Sequence, residues 1–171
     1  MSILARSPRT LAALVFMALA GSTVVPAQAA ETHSRDAVKA IVVEEAVKIG
    51  VPISLALAVA HVESNFSARA ESHKGARGVM QIMPDTAALE YAIDPDVLWQ
   101  PRINVRLGLH FLNRLLKRYN GRVELALSFY NGGSAVGDGR RAKVIPATKA
   151  YVAKVRRMQR HYRRELYLKG I

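Results

Sequence analysis

Apolar residues recur along most of the chain at three- and four-residue intervals, the spacing that lines one face of an α-helix. In "INVRLGLHFLNRLLKRYNG" (103–121), Val105, Leu109, Leu112, Leu116 and Tyr119 form one such stripe, and Gly121 ends it. From Thr148 onward Tyr151, Val155, Met158, Tyr162 and Leu166 form another on a basic final helix. "DAVKAIVVEEAVKI" (36–49) predicts a helix capped by Asp36, stopped by Gly50 and kept from continuing by Pro52. Pro52 then opens "PISLALAVAHVES", which is apolar on nearly every side and therefore reads as the buried central helix. Shorter helical segments are expected in "GVMQIM" (78–83), in "DTAALEYA" (85–92) and over 123–130, with a glycine-rich loop over 131–146. With no repeat and no strand pattern, the fold class is all-α.

Composition changes this picture mainly at the N-terminus. The 171 residues are 50% hydrophobic, enough for one sizeable core. Arg6 and Arg9 precede the apolar run "LAALVFMALA", and "AQA" at 27–29 offers small residues for cleavage, so residues 1–29 read as a secretory signal peptide and 30–171 as the mature domain. The run is shorter than the roughly twenty residues of a membrane span, so no span is expected after cleavage. There is no cysteine, hence neither a disulfide framework nor a lipid-attachable thiol. The expectation is a periplasmic or secreted monomer. Loss of the signal lowers the formal charge from +12 to +10. Such a charge favours polyanions; export points away from nucleic acid and toward an acidic wall polymer, although most of the cations also suit solvated helix faces.

One carboxylate has an unusual setting. Ala60, Val59 and Ala56 lie directly behind Glu63 on the same helical face, so its side chain shares a buried stripe. Desolvation and the negative end of the helix dipole both disfavour its ionised form, which is what a general acid needs. Position alone leaves open the alternative that Glu63 lies past the helix end and reaches water. His61 points about 200° away on a helix of about 100° per residue and reads as packing or surface. Glu71, Asp85, Glu90, Asp94 and Asp96 fall in turns or helix starts, and none has an apolar setting like that of Glu63. No metal-ligand spacing, nucleophile elbow or phosphate loop is present, so neither metal nor cofactor is expected.

The segments "ESNF" (63–66), "AES" (70–72), "GARGVMQIMPDTA" (75–87), "NVRLG" (104–108) and "YNGG" (130–133), in this order, resemble the catalytic domain of soluble lytic transglycosylases. The resemblance implies a goose-type lysozyme-like helical fold that cleaves the MurNAc–GlcNAc β-1,4 bond of peptidoglycan and forms 1,6-anhydroMurNAc. It places the catalytic acid/base on Glu63. It further implies that Ser72 helps hold the reacting groups, that Gln81 and Met83 line the sugar groove, and that Tyr130 and Asn131 face the glutamate from an opposing helix. Tyr151 matches a family position and is expected among the substrate contacts, whereas Met80 is kept as core. The MurNAc C6 hydroxyl acts as the nucleophile in this family, which explains how one carboxylate can suffice where glycosidases normally use two.

Two positions depart from the family pattern. Many members have alanine where this chain has Gly132, a change expected to loosen the loop, and many have glutamate where Ala147 stands. Two other functions compete with the main reading: a hydrolytic muramidase on the same fold, in which water attacks, and a wall-binding module that holds glycan without cutting it. General wall turnover and dedicated opening of the wall for a secretion, conjugation or motility apparatus fit the sequence equally.

Overall fold

The computed structural model describes residues 33–170; the expected signal peptide lies outside them. Five α-helices carry the fold: α1 (Arg35–Ile49), α2 (Ile53–Ser64), α3 (Pro101–Arg118), α4 (Val123–Gly132) and α5 (Lys149–Leu168). No strand occurs among the described residues, only two isolated bridges, Glu71 to Arg77 and Arg77 to Ile82. The all-α expectation is met. No described helix is long and apolar enough to cross a membrane.

α2 sits at the centre, with Ser54, Leu55, Ala56, Leu57, Ala58, Val59 and Ala60 all buried. Its small alanines let neighbouring helices approach from several sides, and it packs most extensively against α5 and then against α1. α3 closes the other side of α1 and carries α4. The apolar stripe expected on α3 is buried as read, with Val105, Leu109, Leu112 and Tyr119 in the interior.

Several local expectations are corrected. Ser34, not Asp36, caps α1: its hydroxyl accepts from the Ala37 amide at 3.2 Å, and Asp36 lies inside the first turn beside Lys39. "GVMQIM" is not helical. Gly78 and Gln81 adopt left-handed backbone (φ 74° and 49°), which breaks the helical path, and the Arg77 and Ile82 amides and carbonyls pair across a tight loop at 2.9 and 3.0 Å. The 85–92 segment forms one wide helical turn at Thr86–Glu90. The glycine-rich stretch is more ordered than its composition suggests, because α4 runs on through Asn131 and Gly132 and short 3₁₀ turns follow at Gly133–Val136, Gly139–Arg141 and Pro146–Thr148.

Gly132 does not loosen this region. A Cβ there would lie 2.6 Å from both the Ile145 and Thr148 side chains, so those two residues already occupy the space that an alanine methyl would need. Ser128 and Thr148 secure the same corner: their hydroxyls are 2.7 Å apart, and Thr148 donates to the Ile145 carbonyl.

Glu45 is the deepest carboxylate among the described residues, 1% exposed on the α1 face that meets α3. This corrects the expectation that only Glu63 has a secluded setting. Its chemistry is the reverse. Arg106 donates to both carboxylate oxygens, Arg102 and Lys48 add further bonds, and together they outweigh burial and hold the carboxyl down to about 2. Glu45 is therefore a structural anion clamping α1 to α3. A carboxyl with a depressed folded pKa adds stability that is complete above its unfolded value of 4.5 and is lost as pH falls toward about 2. Because both arginines are half-exposed and screened, Glu45→Ala is expected to cost about 2 kcal/mol at neutral pH. The difference from wild type should vanish near pH 2 in urea titrations; a constant difference across that window would separate the effect from ionisation.

Candidate active site

Glu63 lies in the last turn of α2, which ends at Asn65 and Phe66, both left-handed (φ 52° and 65°). Phe66 is buried and anchors the reversal, so the chain turns sharply away and leaves Glu63 at the edge of the core. Burial raises its carboxyl to about 7, against the smaller opposing pulls of a Tyr151 hydrogen bond and the Lys154 charge. Tyr151, in the first turn of α5, donates its hydroxyl to Glu63 Oε1 at 2.5 Å. Burial and the charge of Glu63 push the Tyr151 and Tyr130 phenols well above their ordinary value, so both remain protonated donors. Tyr130, on α4, donates to the Met80 carbonyl at 2.8 Å. The site thus joins α2, α4, α5 and the loop before α3.

That loop is held by Asn104, a fully buried residue of α3. Its side chain accepts from the Met80 amide at 2.7 Å and donates to the Arg77 and Leu98 carbonyls at 2.8 and 3.0 Å. A Cβ at Gly78 would fall 2.4 Å from the Asn104 amide nitrogen, and one at Gly108 would fall 2.5 Å from Met80 Cβ. Glycine at both positions is what lets the loop lie against α3. From the other side, the Ser64 hydroxyl donates to the Val79 carbonyl at 2.8 Å and so ties the loop to the end of α2, next to Glu63. The arrangement is a protonatable carboxyl with a fixed donor on one oxygen, flanked by a rigid loop. No group of three or more potential metal ligands occurs among the described residues.

The family model described as Transglycosylase SLT domain matches residues 40–151, a span that holds Glu63, Tyr130, Tyr151, Asn104 and the pinned loop. The chain belongs to that family. A Haemophilus influenzae protein named for soluble lytic murein transglycosylase activity is 34% identical over 97 residues, 52% of this chain and 16% of the relative. The soluble lytic murein transglycosylase of Escherichia coli K12 is 30% identical over 90 residues, 48% of this chain and 14% of that one. Among solved structures, an inactive glutamate-to-glutamine variant of the lytic transglycosylase Slt from Pseudomonas aeruginosa superposes with TM-score 0.65 at 29% identity, covering 75% of this chain and 24% of its own. The 70 kDa soluble lytic transglycosylase of E. coli gives 0.62 at 26%, covering 77% and 24%. This chain therefore spans a small part of the proteins it matches, and the shared part is the helical, lysozyme-like SLT domain.

Within this SLT domain, the residues expected from sequence fall into two groups. Glu63, Tyr130 and Tyr151 come together electrostatically, and Tyr151 touches the carboxylate itself, a direct contact that sequence reasoning did not foresee. Gln81 is in the pinned loop, where its side-chain amide donates to the Ala70 and Gly78 carbonyls at 3.1 and 3.0 Å. Met83 is 38% exposed just beyond it, while Met80 is fully buried as expected. Asn131 is exposed in the last turn of α4. The Ser72 hydroxyl accepts from the Ala76 and Lys74 amides at 3.0 and 3.3 Å, so it closes its own turn. His61 bonds Tyr162 of α5 through Nδ1 at 2.7 Å and leans on Phe66, a packing role.

Asn104 and Ser64 were missed as parts of the site. The signal for Asn104 was available: it stands four and eight residues before Gly108 and Leu112 on the buried face, a polar residue in an apolar register.

Proposed function

We propose that this SLT domain cleaves the MurNAc–GlcNAc β-1,4 bond of peptidoglycan as a lytic transglycosylase, with Glu63 as its general acid and base. The observation that carries the reading is the Glu63 carboxyl held near neutrality by burial, with a buried tyrosine hydroxyl fixed on one oxygen. Support also comes from the names of the relatives and from the inactivity of the Pseudomonas variant in which a glutamate becomes glutamine. The exported compartment that holds peptidoglycan is its proposed place of action.

Because Tyr151 occupies Oε1 as a donor, the transferable proton of Glu63 sits on Oε2. Glu63 gives that proton to the glycosidic oxygen as the C1–O bond breaks, and GlcNAc leaves as an alcohol. The carboxylate that results is stabilised by the Tyr151 hydroxyl and the Lys154 charge, the two influences that favour its ionised form. Glu63 then accepts the proton of the MurNAc C6 hydroxyl as that oxygen bonds to C1, which closes the 1,6-anhydro ring and restores the acid. Gln81, Met83 and Asn131 are proposed as groove contacts, Tyr130 as the wall facing the carboxyl, and Ser72 as a support for the groove's entrance turn.

Cyclisation is favoured over hydrolysis because water lacks an activator. Among the described acids, all but Glu45, Glu63 and Glu165 are exposed; Glu45 is bound by arginines and Glu165 by Lys169. The C6 hydroxyl, in contrast, is tethered to the reacting ring and has a high effective concentration. Mass spectrometry of digested sacculi should therefore show fragments ending in 1,6-anhydroMurNAc, lighter by one water than hydrolysis products. Reducing MurNAc ends would replace this reading with a muramidase, and intact glycan carrying bound protein would replace it with a binding module.

A further inference from the structure

The outward face of α5 has no role in the site described above. At about 100° per residue, Arg157, Arg160, Arg164 and Leu168 fall in one row, opposite the packed stripe of Val152, Val155, Gln159 and Tyr162. All four residues of the row are exposed. None of Arg157, Arg160, Arg163 and Arg164 has an acidic partner among the described residues, because Glu165, the one acid of α5, is taken by Lys169 at 2.8 Å with His161 nearby, and Arg156 alone reaches across to Glu124. The row ends in two exposed apolar side chains, Tyr167 at 81% and Leu168 at 73%.

Guanidinium groups in a line with no acidic partner among the described residues call for an anionic partner. An exposed tyrosine and leucine directly beside them call for one that also accepts apolar groups. Wall peptide satisfies the first demand alone, and RNA, whose bases can stack on the tyrosine, still leaves Leu168 in water. A bilayer surface with anionic headgroups satisfies both, since arginines bind the phosphates while the aromatic and aliphatic side chains enter the boundary between headgroups and acyl chains. We propose that the C-terminal half of α5 docks this protein peripherally on anionic lipid membranes. Tyr151 lies about 120° around the helix from Arg157 at about 100° per residue, so docking by this row leaves the Glu63 site turned away from the surface. The proposal is independent of whether Glu63 cuts glycan.

The test is co-sedimentation of the purified protein with phosphatidylcholine vesicles with and without about one third phosphatidylglycerol, at about 0.1 M salt. The protein is expected to bind the anionic vesicles and not the neutral ones. Arg157→Gln with Arg160→Gln and Arg164→Gln should weaken binding on the order of 100-fold, since each cation near the surface contributes about five-fold. Tyr167→Ser with Leu168→Ser should weaken it roughly ten-fold with the arginines intact. Circular dichroism of both variants should match wild type, because every substituted side chain is solvent-facing. Absence of vesicle binding, or binding insensitive to the arginine changes, overturns the proposal. So does a Tyr167/Leu168 variant that binds as wild type, which would make the face a site for polyanions such as RNA or sacculi.

Discussion

Glu63→Gln is expected to lower turnover of peptidoglycan by about a thousand-fold or more while making the protein more stable above neutral pH. The rate effect follows from losing the proton donor, since positioned acid–base groups supply about 10²–10⁴ each and Glu63 is asked to serve twice in one cycle. The amide keeps the shape and still accepts the Tyr151 hydrogen bond, so glycan binding should persist. The stability effect has the opposite sign to that of Glu45. Glu63 has its folded pKa raised from 4.5 to about 7, so in that interval the folded chain binds a proton that the unfolded chain does not. Stability therefore falls as pH rises from 4.5 to about 7 and stays lower above it. Removing the ionisation should recover roughly 1–3 kcal/mol at pH 8, discounted for the partial exposure of the side chain, and nothing at pH 4. Thermal unfolding at both pH values, together with sacculus digestion, measures the pair of effects. Wild-type activity should decline as pH rises through about 7, where the acid form is titrated away. Retained turnover in the glutamine variant would remove Glu63 from the mechanism, and a stability gain that is equal at pH 4 and 8 would remove the desolvation argument.

Asn104→Ala is expected to be the most destabilising single change in the vicinity of the site, at about 2–4 kcal/mol. It strands two buried backbone groups, the Met80 amide and the Leu98 carbonyl, while the Arg77 carbonyl keeps the Ile82 amide, and each unsatisfied buried group costs about 1–3 kcal/mol. The loss is partly offset if water enters the space, which keeps the sum at the lower end for a loop near the surface. Against a typical total of about 5–15 kcal/mol this leaves a marginal fold. Activity should fall further than stability explains, because Tyr130 donates to the carbonyl of Met80 and loses its fixed partner when the loop moves. Urea unfolding gives the energy, and a cost under about 1 kcal/mol would show that the loop is held mainly by its own turns.

Helices α3 and α5 were legible because their stripes are long and regular, and α2 was legible for a different reason, as an unbroken apolar run bounded by Pro52 and Asn65. The environment of Glu63 was legible in part: Ala56, Val59 and Ala60 on its own helical face are buried as read, while its own exposure was open from position alone. The 78–83 loop was not. Its apolar residues mimic a helical period, and what overrides them is the left-handed backbone at Gly78 and Gln81 together with a side chain on α3, 24 residues from Met80. The Tyr151 contact lies 88 residues from Glu63, and no local pattern reports it. Glu45 was hidden likewise: Arg102 and Arg106 stand one turn apart on α3, and their target appears when α1 packs on that face. Ser72 shows the converse, a residue whose place in the motif was clear while its hydrogen bonds stay within its own turn.

The link from α5 back to α2 also orders events in time. A ribosome makes the chain from its N-terminus at about 5–20 residues per second, so α2 and Glu63 emerge seconds before α5 does. Until α5 is made, Glu63 lacks the Tyr151 hydroxyl, and the side of α2 that α5 covers is open to water. The His61–Tyr162 bond, spanning 101 residues, closes even later. In a nascent or C-terminally truncated chain the surroundings that Tyr151 gives Glu63 are therefore missing, and they form only as the last helix docks.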